Sequence, residues 1–264
     1  MKKALFIMAM LAFVATGFAQ KKLVLYFSET QTTQKVALAL QKQLSLPDKA
    51  VVAIELVEPY TGNMMETMQR AQREKQPALK PLKAKIADYD IIFLGYPIWS
   101  GTYALPIASL LKQEDFAGKT IVPFCTFGSG GLESSMADLK KALPKATIKP
   151  GYGVRQARVA AAAKELDRFL KENGYIAGKV KTLPAYSAQQ PVTDAEKAIF
   201  DAACSSYQFS LGTPLTFGKR TTDDSIDYEF KVKSQGFGGG GESTIYVTMG
   251  KEAGAKPEFT RVVR

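Results

Sequence analysis

Short apolar runs without polar interruption alternate with amphipathic segments along residues 22–173. Two of these runs, residues 90–96 (DIIFLGY) and 120–127 (TIVPFCTF), show no alternation of apolar and polar side chains. A strand with one face in water alternates, so an unbroken run indicates a strand covered on both faces, as in a parallel sheet flanked by helices. The pattern predicts a doubly wound α/β domain over residues 20–176. The predicted strands are 22–27, 51–56, 90–96, 119–125 and 147–153, and the predicted helices are 32–44, 64–75, 79–87, 103–113, 131–142 and 156–173.

The composition changes after residue 176. Residues 177–192 (AGKVKTLPAYSAQQPV) are rich in turn and breaker residues and are predicted to be a linker that few contacts cross. Thr193 and Glu196 then have capping-box spacing at the start of a helix, and later runs alternate apolar and polar residues as antiparallel strands do. Residues 193–264 are therefore predicted to be a small α+β domain with one helix on an antiparallel sheet. Its strands are expected near 213–220, 226–234, 243–249 and 258–263.

The glycine-rich run at residues 236–242 (GFGGGGE) has two interpretations. It can be a flexible hairpin loop between two strands, or a phosphate-binding glycine loop. Phosphate-binding loops of that kind lead into a helix, whereas this run leads into a predicted strand. The hairpin loop is the favoured interpretation.

The amino terminus has the features of an export signal. Residues 1–19 (MKKALFIMAMLAFVATGFA) combine two lysines, an apolar run and small residues at Gly17 and Ala19, which is typical of a signal cleaved just before Gln20. A membrane anchor is the alternative, but the run is short for a bilayer span and lacks a stop-transfer flank. We expect an exported protein, periplasmic or extracellular, with no membrane span after cleavage.

Three features of the composition restrict the chemistry. The chain has no histidine, which excludes histidine-based triads, histidine metal sites and histidine acid–base catalysis. Cys125 and Cys204 are far apart, which argues against a disulfide scaffold, and Cys125 is interpreted as a buried apolar residue. The formal net charge of +10 comes without an arginine-rich run, so we expect no nucleic-acid partner.

Four hydroxyl residues crowd the turn between the first strand and the first helix. Ser28, Thr30, Thr32 and Thr33 all lie in the stretch SETQTT. A helix N-terminus presents unpaired N–H groups and the positive end of the helix dipole, so such a turn is suited to phosphate. A simple N-cap is the alternative, but it accounts for only one of the hydroxyls.

Ligands of open parallel sheets bind outside the carboxyl ends of the strands. Besides the hydroxyl turn, that edge receives the loop at residues 95–106 (GYPIWSGTYALP), which holds the only tryptophan. It also receives the glycine-rich turn at residues 125–135 (CTFGSGGLESS) and the longer loop at residues 58–74, which contains Tyr60. We therefore expect these loops to converge on one binding site.

Together these loops resemble those of flavodoxins. SETQTTQKVA is similar to the flavodoxin phosphate loop, GYPIWSGTYALP to the loop that flanks the isoalloxazine ring, and TFGSGG to the third flavin loop. The resemblance covers about residues 21–175 and is closest to exported flavodoxin-like proteins with a C-terminal extension. It implies a five-stranded parallel sheet of order 2-1-3-4-5 and FMN as the cofactor. Two departures are Gln31, where flavodoxins usually have glycine, and the basic charge, because electron-carrier flavodoxins are typically acidic.

The resemblance also implies a role for individual residues. The first loop would bind the phosphate through Ser28, Thr30, Gln31, Thr32 and Thr33. The second loop would lie beside the ring through Pro97, Ile98, Trp99, Ser100, Gly101 and Thr102, with Tyr60 as a further ring or substrate contact. The third loop would approach the pyrimidine through Thr126, Gly128, Ser129 and Gly130. Core packing of Trp99, and an ordinary strand-to-helix turn for the glycines, are the alternatives.

The resemblance favours an FMN-binding electron carrier or a flavin-dependent oxidoreductase with a quinone or similar acceptor. In either role the flavin carries the redox chemistry, and no side chain needs to act as a nucleophile. One alternative is a cofactor-free binding or assembly protein on the same scaffold. Another is a nucleotide or phosphosugar binder that uses the hydroxyl turn. The redox partner is unknown, and a homodimer is left open.

Overall fold

The structure of the protein is a computed structural model that describes residues 20–60, 64–74, 76–233 and 241–264. The predicted export signal and most of the glycine-rich run lie outside these ranges. The described chain forms a parallel sheet followed by an antiparallel sheet. We call residues 20–176 the parallel unit, and the rest of the described chain from residue 190 the C-terminal unit.

The first sheet is parallel apart from one short return strand. Its strands are β1 (Lys22–Tyr26), β2 (Val51–Ala53), β3 (Ile91–Trp99), β4 (Thr102–Tyr103), β5 (Thr120–Phe127), β6 (Thr147–Ile148) and β7 (Tyr152–Arg155). In space the order is β2-β1-β3-β5-β6, with β7 also parallel to β5 and β4 antiparallel to the end of β3. The predicted order 2-1-3-4-5 is confirmed, with β6 and β7 together in the place of the fifth strand.

Helices cover both faces of this sheet. They include α1 (Thr32–Gln43), α2 (Met64–Arg73), α3 (Leu105–Gln113), α4 (Leu132–Ala142) and α5 (Ala162–Glu172). In β1, Leu23 and Leu25 enter the core shared with α3 and α4, whereas Val24 and Tyr26 enter the core shared with α1 and α5. Successive side chains of one strand thus enter different cores, which explains why the run is apolar without alternation.

The helix predicted over residues 79–87 is wrong. Leu79 instead forms an isolated antiparallel bridge with Leu56, and the only helical turn in the segment is the 3-10 turn Ile86–Asp88. Pro81 has no N–H and its ring disfavours a helical turn before it. Proline therefore overrides the amphipathic spacing of this segment.

Other predicted boundaries also differ from the structure, since β2 ends at Ala53 and not at residue 56, and β3 continues to Trp99. The predicted strand at residues 147–153 is divided into β6 and β7, because Pro150 between them has no N–H to give to a strand ladder. The predicted helix at residues 156–173 opens with the 3-10 turn Gln156–Ala161, and α5 begins only after it. The chain thus reaches α5 through a tighter turn than the periodicity indicates.

The C-terminal unit has one helix on an antiparallel sheet, as predicted. Its elements are β8 (Gln190–Pro191), α6 (Asp194–Cys204), β9 (Thr213–Thr221), β10 (Ser225–Lys233), β11 (Glu242–Gly250) and β12 (Glu258–Val263), in the sheet order β12-β11-β10-β9-β8. Phe200 of α6 packs 5.2 Å from the ring centre of Phe230 in the core of this unit. Strand β8 lies within the predicted linker, so the end of the linker is an edge strand of the sheet.

The two units are in contact, and the prediction that few contacts cross the linker is wrong. Val262 of β12 forms a parallel bridge with Gly130 of the parallel unit. The guanidinium of Arg155, at the end of β7, donates to the carbonyl of Phe259 at 3.0 Å. A breaker-rich linker indicates where the chain leaves the first unit, but it carries no information on whether the units then pack together.

Gly95 in the central strand β3 should be essential for packing. A Cβ at this position would stand 2.1 Å from Cζ of Phe124, whose side chain is 1% exposed. Gly95→Ala is expected to lower the free energy of unfolding by about 1–3 kcal/mol, because the ring has no space to move into. Chemical denaturation measures this, with Gly241→Ala as the matched control, because a Cβ there meets no atom of the described residues within 4 Å. Equal midpoints for the two variants would contradict the packing described.

Candidate functional site

The first loop leaves the first two amides of helix α1 unpaired within the described chain. The N-cap residue is Gln31, and its side chain makes no capping hydrogen bond. Ser28 Oγ accepts from the amide of Gln34 at 3.2 Å, whereas the amides of Thr32 and Thr33 donate to no other group in the described part of the chain. Unpaired amides at the positive end of a helix dipole form a ready anion site.

Gln31 adopts the left-handed backbone conformation, with φ 61° and ψ 0°. This is the region that glycine enters without strain and that costs other residues about 1 kcal/mol. The turn therefore keeps the backbone shape that a glycine would favour, although a glutamine stands at this position.

The hydroxyls of this loop point in different directions. Thr33 is 1% exposed, and its Oγ1 lies 2.8 Å from Oγ1 of Thr126 at the end of β5. Thr30 is exposed, and its Oγ1 lies 3.1 Å from Oγ1 of Thr32. The hydroxyl of Thr33 thus joins the first loop to the third, and those of Ser28 and Thr30 remain the better placed for a ligand.

The second loop is a tight hairpin between β3 and β4. Trp99 pairs with Thr102, and the two residues between them, Ser100 and Gly101, both have positive φ, at 50° and 85°. Positive φ at both central positions is the type I′ geometry that matches the twist of paired strands. Asp138 of α4 accepts from Oγ1 of Thr102 at 2.7 Å. The loop is thereby fixed to the helix that follows the third loop.

Trp99 belongs to an aromatic cluster at the mouth of the loops. Its ring centre lies 5.5 Å from that of Tyr60 and 5.9 Å from that of Phe27, both in edge-on arrangements. Tyr60 is 7% exposed, and its hydroxyl has no hydrogen-bond partner among the described residues. A buried unpaired hydroxyl is costly, so this oxygen marks a position where a polar group of a ligand or a water would be favourable.

Two charged side chains, Arg70 and Glu29, reach the same region. The guanidinium of Arg70 lies 4.8 Å from the ring centre of Tyr60, and its Nε lies 2.8 Å from a carboxyl oxygen of Glu74. Burial raises the pKa of the Glu29 carboxyl, an effect that Arg70 opposes. A single acid inside a hydroxyl turn carries no spacing signal, so sequence patterns alone did not reveal it.

The third loop follows β5 and leads into α4. The carbonyl of Gly128 accepts from Nε of Arg155 at 2.8 Å, and that of Ser129 accepts from the amide of Val262 at 2.7 Å. Within the described ranges, the amides of residues 128–130 donate to no other group. The loop therefore turns two carbonyls away toward the protein and leaves its donors available for the acceptor atoms of a ligand.

The candidate residues thus meet at one edge of the sheet. Thr33 and Thr126 connect the first and third loops, and Tyr60 and Trp99 connect the loops after β2 and β3. A Cβ at Gly131 would stand 2.7 Å from Cγ2 of Ile98, which shows how closely the second and third loops approach. Arg155, Phe27 and Glu29 are the contacts that sequence reasoning missed. In the residues described, no cluster of three or more Cys, Asp or Glu is arranged to hold a metal ion.

A separate cleft of about 850 Å³ lies between α5 and the polar face of the antiparallel sheet. None of the predicted cofactor residues lines it. Arg158 in this cleft pairs with Glu165 at 2.9 Å and with Glu258 at 2.8 Å, and Lys164 pairs with Asp224. Its charges are largely used in ion pairs, several of them between the two units, so the cleft is not the candidate site.

Comparison with known proteins places the match on the parallel unit. A flavodoxin family model matches residues 21–171. A candidate flavoprotein from Bacteroides eggerthii DSM 20697 is 29% identical, with a TM-score of 0.45, and the match covers 55% of this chain and 97% of that one. A candidate flavoprotein from Bacteroides uniformis ATCC 8492 is 27% identical, with a TM-score of 0.49, and the match covers 56% of this chain and 97% of that one. A flavoprotein in complex with FMN from Lactobacillus acidophilus NCFM is 20% identical, with a TM-score of 0.43, and the match covers 55% of this chain and 99% of that one. No curated protein matches the chain.

The buried hydroxyl pair should stabilise the site in a coupled way. Thr33→Val or Thr126→Val alone leaves the other hydroxyl buried without its partner, and is expected to cost about 1–3 kcal/mol of unfolding free energy. The double variant removes both hydroxyls and should cost clearly less than the two single changes added together. Denaturant unfolding of the four proteins measures the coupling, and strict additivity would show that the two hydroxyls do not depend on each other.

Proposed function

The chain belongs to the flavodoxin family, and on this premise we propose that it binds FMN at the carboxyl edge of the parallel sheet. The observation that carries the proposal is the start of α1, where the amides of Thr32 and Thr33 have no partner in the described chain. In this assignment the phosphate lies on those amides and on the hydroxyls of Ser28 and Thr30. Neither contact needs a lysine or an arginine, because the helix dipole and N–H groups favour the anion.

The remaining loops fit the flavin ring. The half-buried Trp99 and the buried Tyr60 offer flat apolar surface, and the unpaired Tyr60 hydroxyl offers one polar contact. The amides of Gly128, Ser129 and Gly130 offer donors to the oxygen and nitrogen acceptors of the pyrimidine. Apolar walls with a few convergent polar groups are typical of cofactor sites.

We further propose that the protein acts in electron transfer, as a carrier or as an oxidoreductase with a quinone-class acceptor. Bound FMN would supply one- and two-electron chemistry, and the protein residues would bind the cofactor, orient it and tune its environment. Cys125 and Cys204 are not joined by a disulfide, and burial raises the pKa of both thiols. A thiol held in its neutral form is a poor nucleophile, so neither cysteine is suited to take part in the redox step.

The purified holoprotein tests the proposal directly. A flavin absorption spectrum, with FMN identified by mass after release on heating, is the expected result. A colourless protein that takes up no FMN would support the cofactor-free binding or assembly protein. Stabilisation by a nucleotide or a phosphosugar but not by FMN would support the alternative use of the hydroxyl turn.

The phosphate contact predicts a specific effect of Thr30. Thr30→Ala is expected to weaken FMN binding by about 1.5–3 kcal/mol, the range for hydrogen bonds to charged groups. Riboflavin, which has no phosphate, should bind this variant and the natural chain equally. Thr30→Ser restores the hydroxyl and should restore the affinity, and Thr221→Ala, an exposed threonine of the C-terminal unit, is the matched control. Quenching of flavin fluorescence measures each dissociation constant, and equal loss of both flavins would place the phosphate elsewhere.

We also propose that the protein works outside the cytoplasm, on the basis of the export signal in residues 1–19. In the described part of the chain, no helix has the length and apolarity needed to cross a bilayer. Expression of the full chain in a bacterial host should yield an exported product whose amino terminus is Gln20, identified by intact mass. A product that keeps residues 1–19 and sediments with membranes would indicate the anchor instead.

A further inference from the structure

The third loop is held from outside the parallel unit. Strand β12 of the C-terminal unit runs alongside it, with the amide of Val262 donating to the carbonyl of Ser129 at 2.7 Å and a parallel bridge to Gly130. A Cβ on Gly130 would stand 2.3 Å from the carbonyl oxygen of Val262. The backbones are therefore in direct contact, and only glycine permits this approach.

Arg155 also connects loop 128–130 with strand β12 through hydrogen bonds. It is 6% exposed, and its guanidinium donates to the carbonyl of Gly128 at 2.8 Å and to that of Phe259 at 3.0 Å. The guanidinium also lies 4.2 Å from the ring centre of Phe259 and 5.5 Å from that of Tyr207. Burial lowers the pKa of Arg155, because removal from water disfavours the charged guanidinium.

Burying a cation in this way is expensive unless its donors are satisfied. Two of the five N–H donors of Arg155 have acceptors here, one carbonyl from loop 128–130 and one from strand β12, so both hydrogen bonds form only when the loop and the strand are in place. Phe259 and Val262 are themselves in the core of the C-terminal unit, so β12 is a rigid support. The loop conformation and the docking of the C-terminal unit thus depend on each other.

We propose that Arg155 is a positioning residue that couples the docking of the C-terminal unit to flavin binding, an inference that rests on the proposed function. Arg155 and β12 hold the carbonyls of Gly128 and Ser129, which leaves the amides of residues 128–130 turned toward the pyrimidine. The C-terminal unit is thereby part of the cofactor site, although none of its side chains is assigned to the flavin. Because coupling is reciprocal, a bound flavin in turn stabilises the docked unit.

The position of the third loop makes the effect of Arg155 distinguishable from that of the phosphate turn. Arg155→Ala in the full chain should weaken FMN and riboflavin by the same factor, about tenfold, because the ring contacts are common to both flavins. Arg155→Lys keeps the charge and one donor and should recover part of the affinity. Arg168→Ala is the matched control: it removes contacts with Glu172 of the same helix and with the carbonyl of Lys181, and it touches neither the loop nor strand β12, so both affinities should stay within about twofold.

Hydrogen exchange of the natural chain gives a second readout that needs no variant. Saturating FMN should slow exchange of the Val262 amide, which donates to the loop. Unchanged exchange at Val262, or unchanged flavin affinity in a folded Arg155→Ala protein, would overturn the coupling while leaving the proposed function intact. Equal weakening by Arg155→Ala and Arg168→Ala would assign the effect to general destabilisation and would also overturn it. Failure of the natural chain to bind any flavin would overturn the proposed function and this inference together.

Discussion

The parallel strands are buried on both faces, and this burial restricts where polar groups and binding residues can lie. Because Leu25 enters one core and Val24 the other, polar chemistry has no place along the strands. The backbone groups left without a ladder partner lie where strands end and helices begin. Binding chemistry is therefore confined to loops such as residues 28–33, 97–102 and 126–130, which the strand order brings to one edge of the sheet.

These loops are held from two sides. On the inside, the hydroxyls of Thr33 and Thr126 join the turn before α1 to the end of β5. On the outside, Arg155 and the backbone of Val262 take up the carbonyls of the third loop. A loop that presents N–H groups to a ligand must satisfy its carbonyls elsewhere, since an unpaired buried carbonyl is costly. In this protein the C-terminal unit provides part of that support.

The C-terminal unit thus contacts the third loop of the parallel unit directly. Its apolar core lies under α6, whereas its opposite face is polar and lines the cleft against α5. Ion pairs such as Arg158 with Glu258 cross this cleft, and solvent screens the half-exposed Glu258 carboxylate. The closer contact is at β12, where backbone meets backbone. The docking specificity is therefore carried by hydrogen bonds and by a glycine, and less by charge.

The alternation of strands and helices, the division into two sheets and the hydroxyl turn at the first helix could be predicted from the sequence, because apolar periodicity, breakers and helix-start residues act over a few positions of the chain. The strand order was an expectation from the resemblance to flavodoxins, because no local pattern encodes which strands become neighbours. Local patterns failed at residues 79–87, where Pro81 and the bridge to Leu56 overrode a helical spacing. The hydrogen bond of Thr33 with Thr126, 93 positions along the chain, is seen only in the folded structure. The same holds for the hydrogen bond of Arg155 with the carbonyl of Phe259, 104 positions away. Such contacts arise from the packing of whole elements, and no local pattern encodes the direction in which two units will meet.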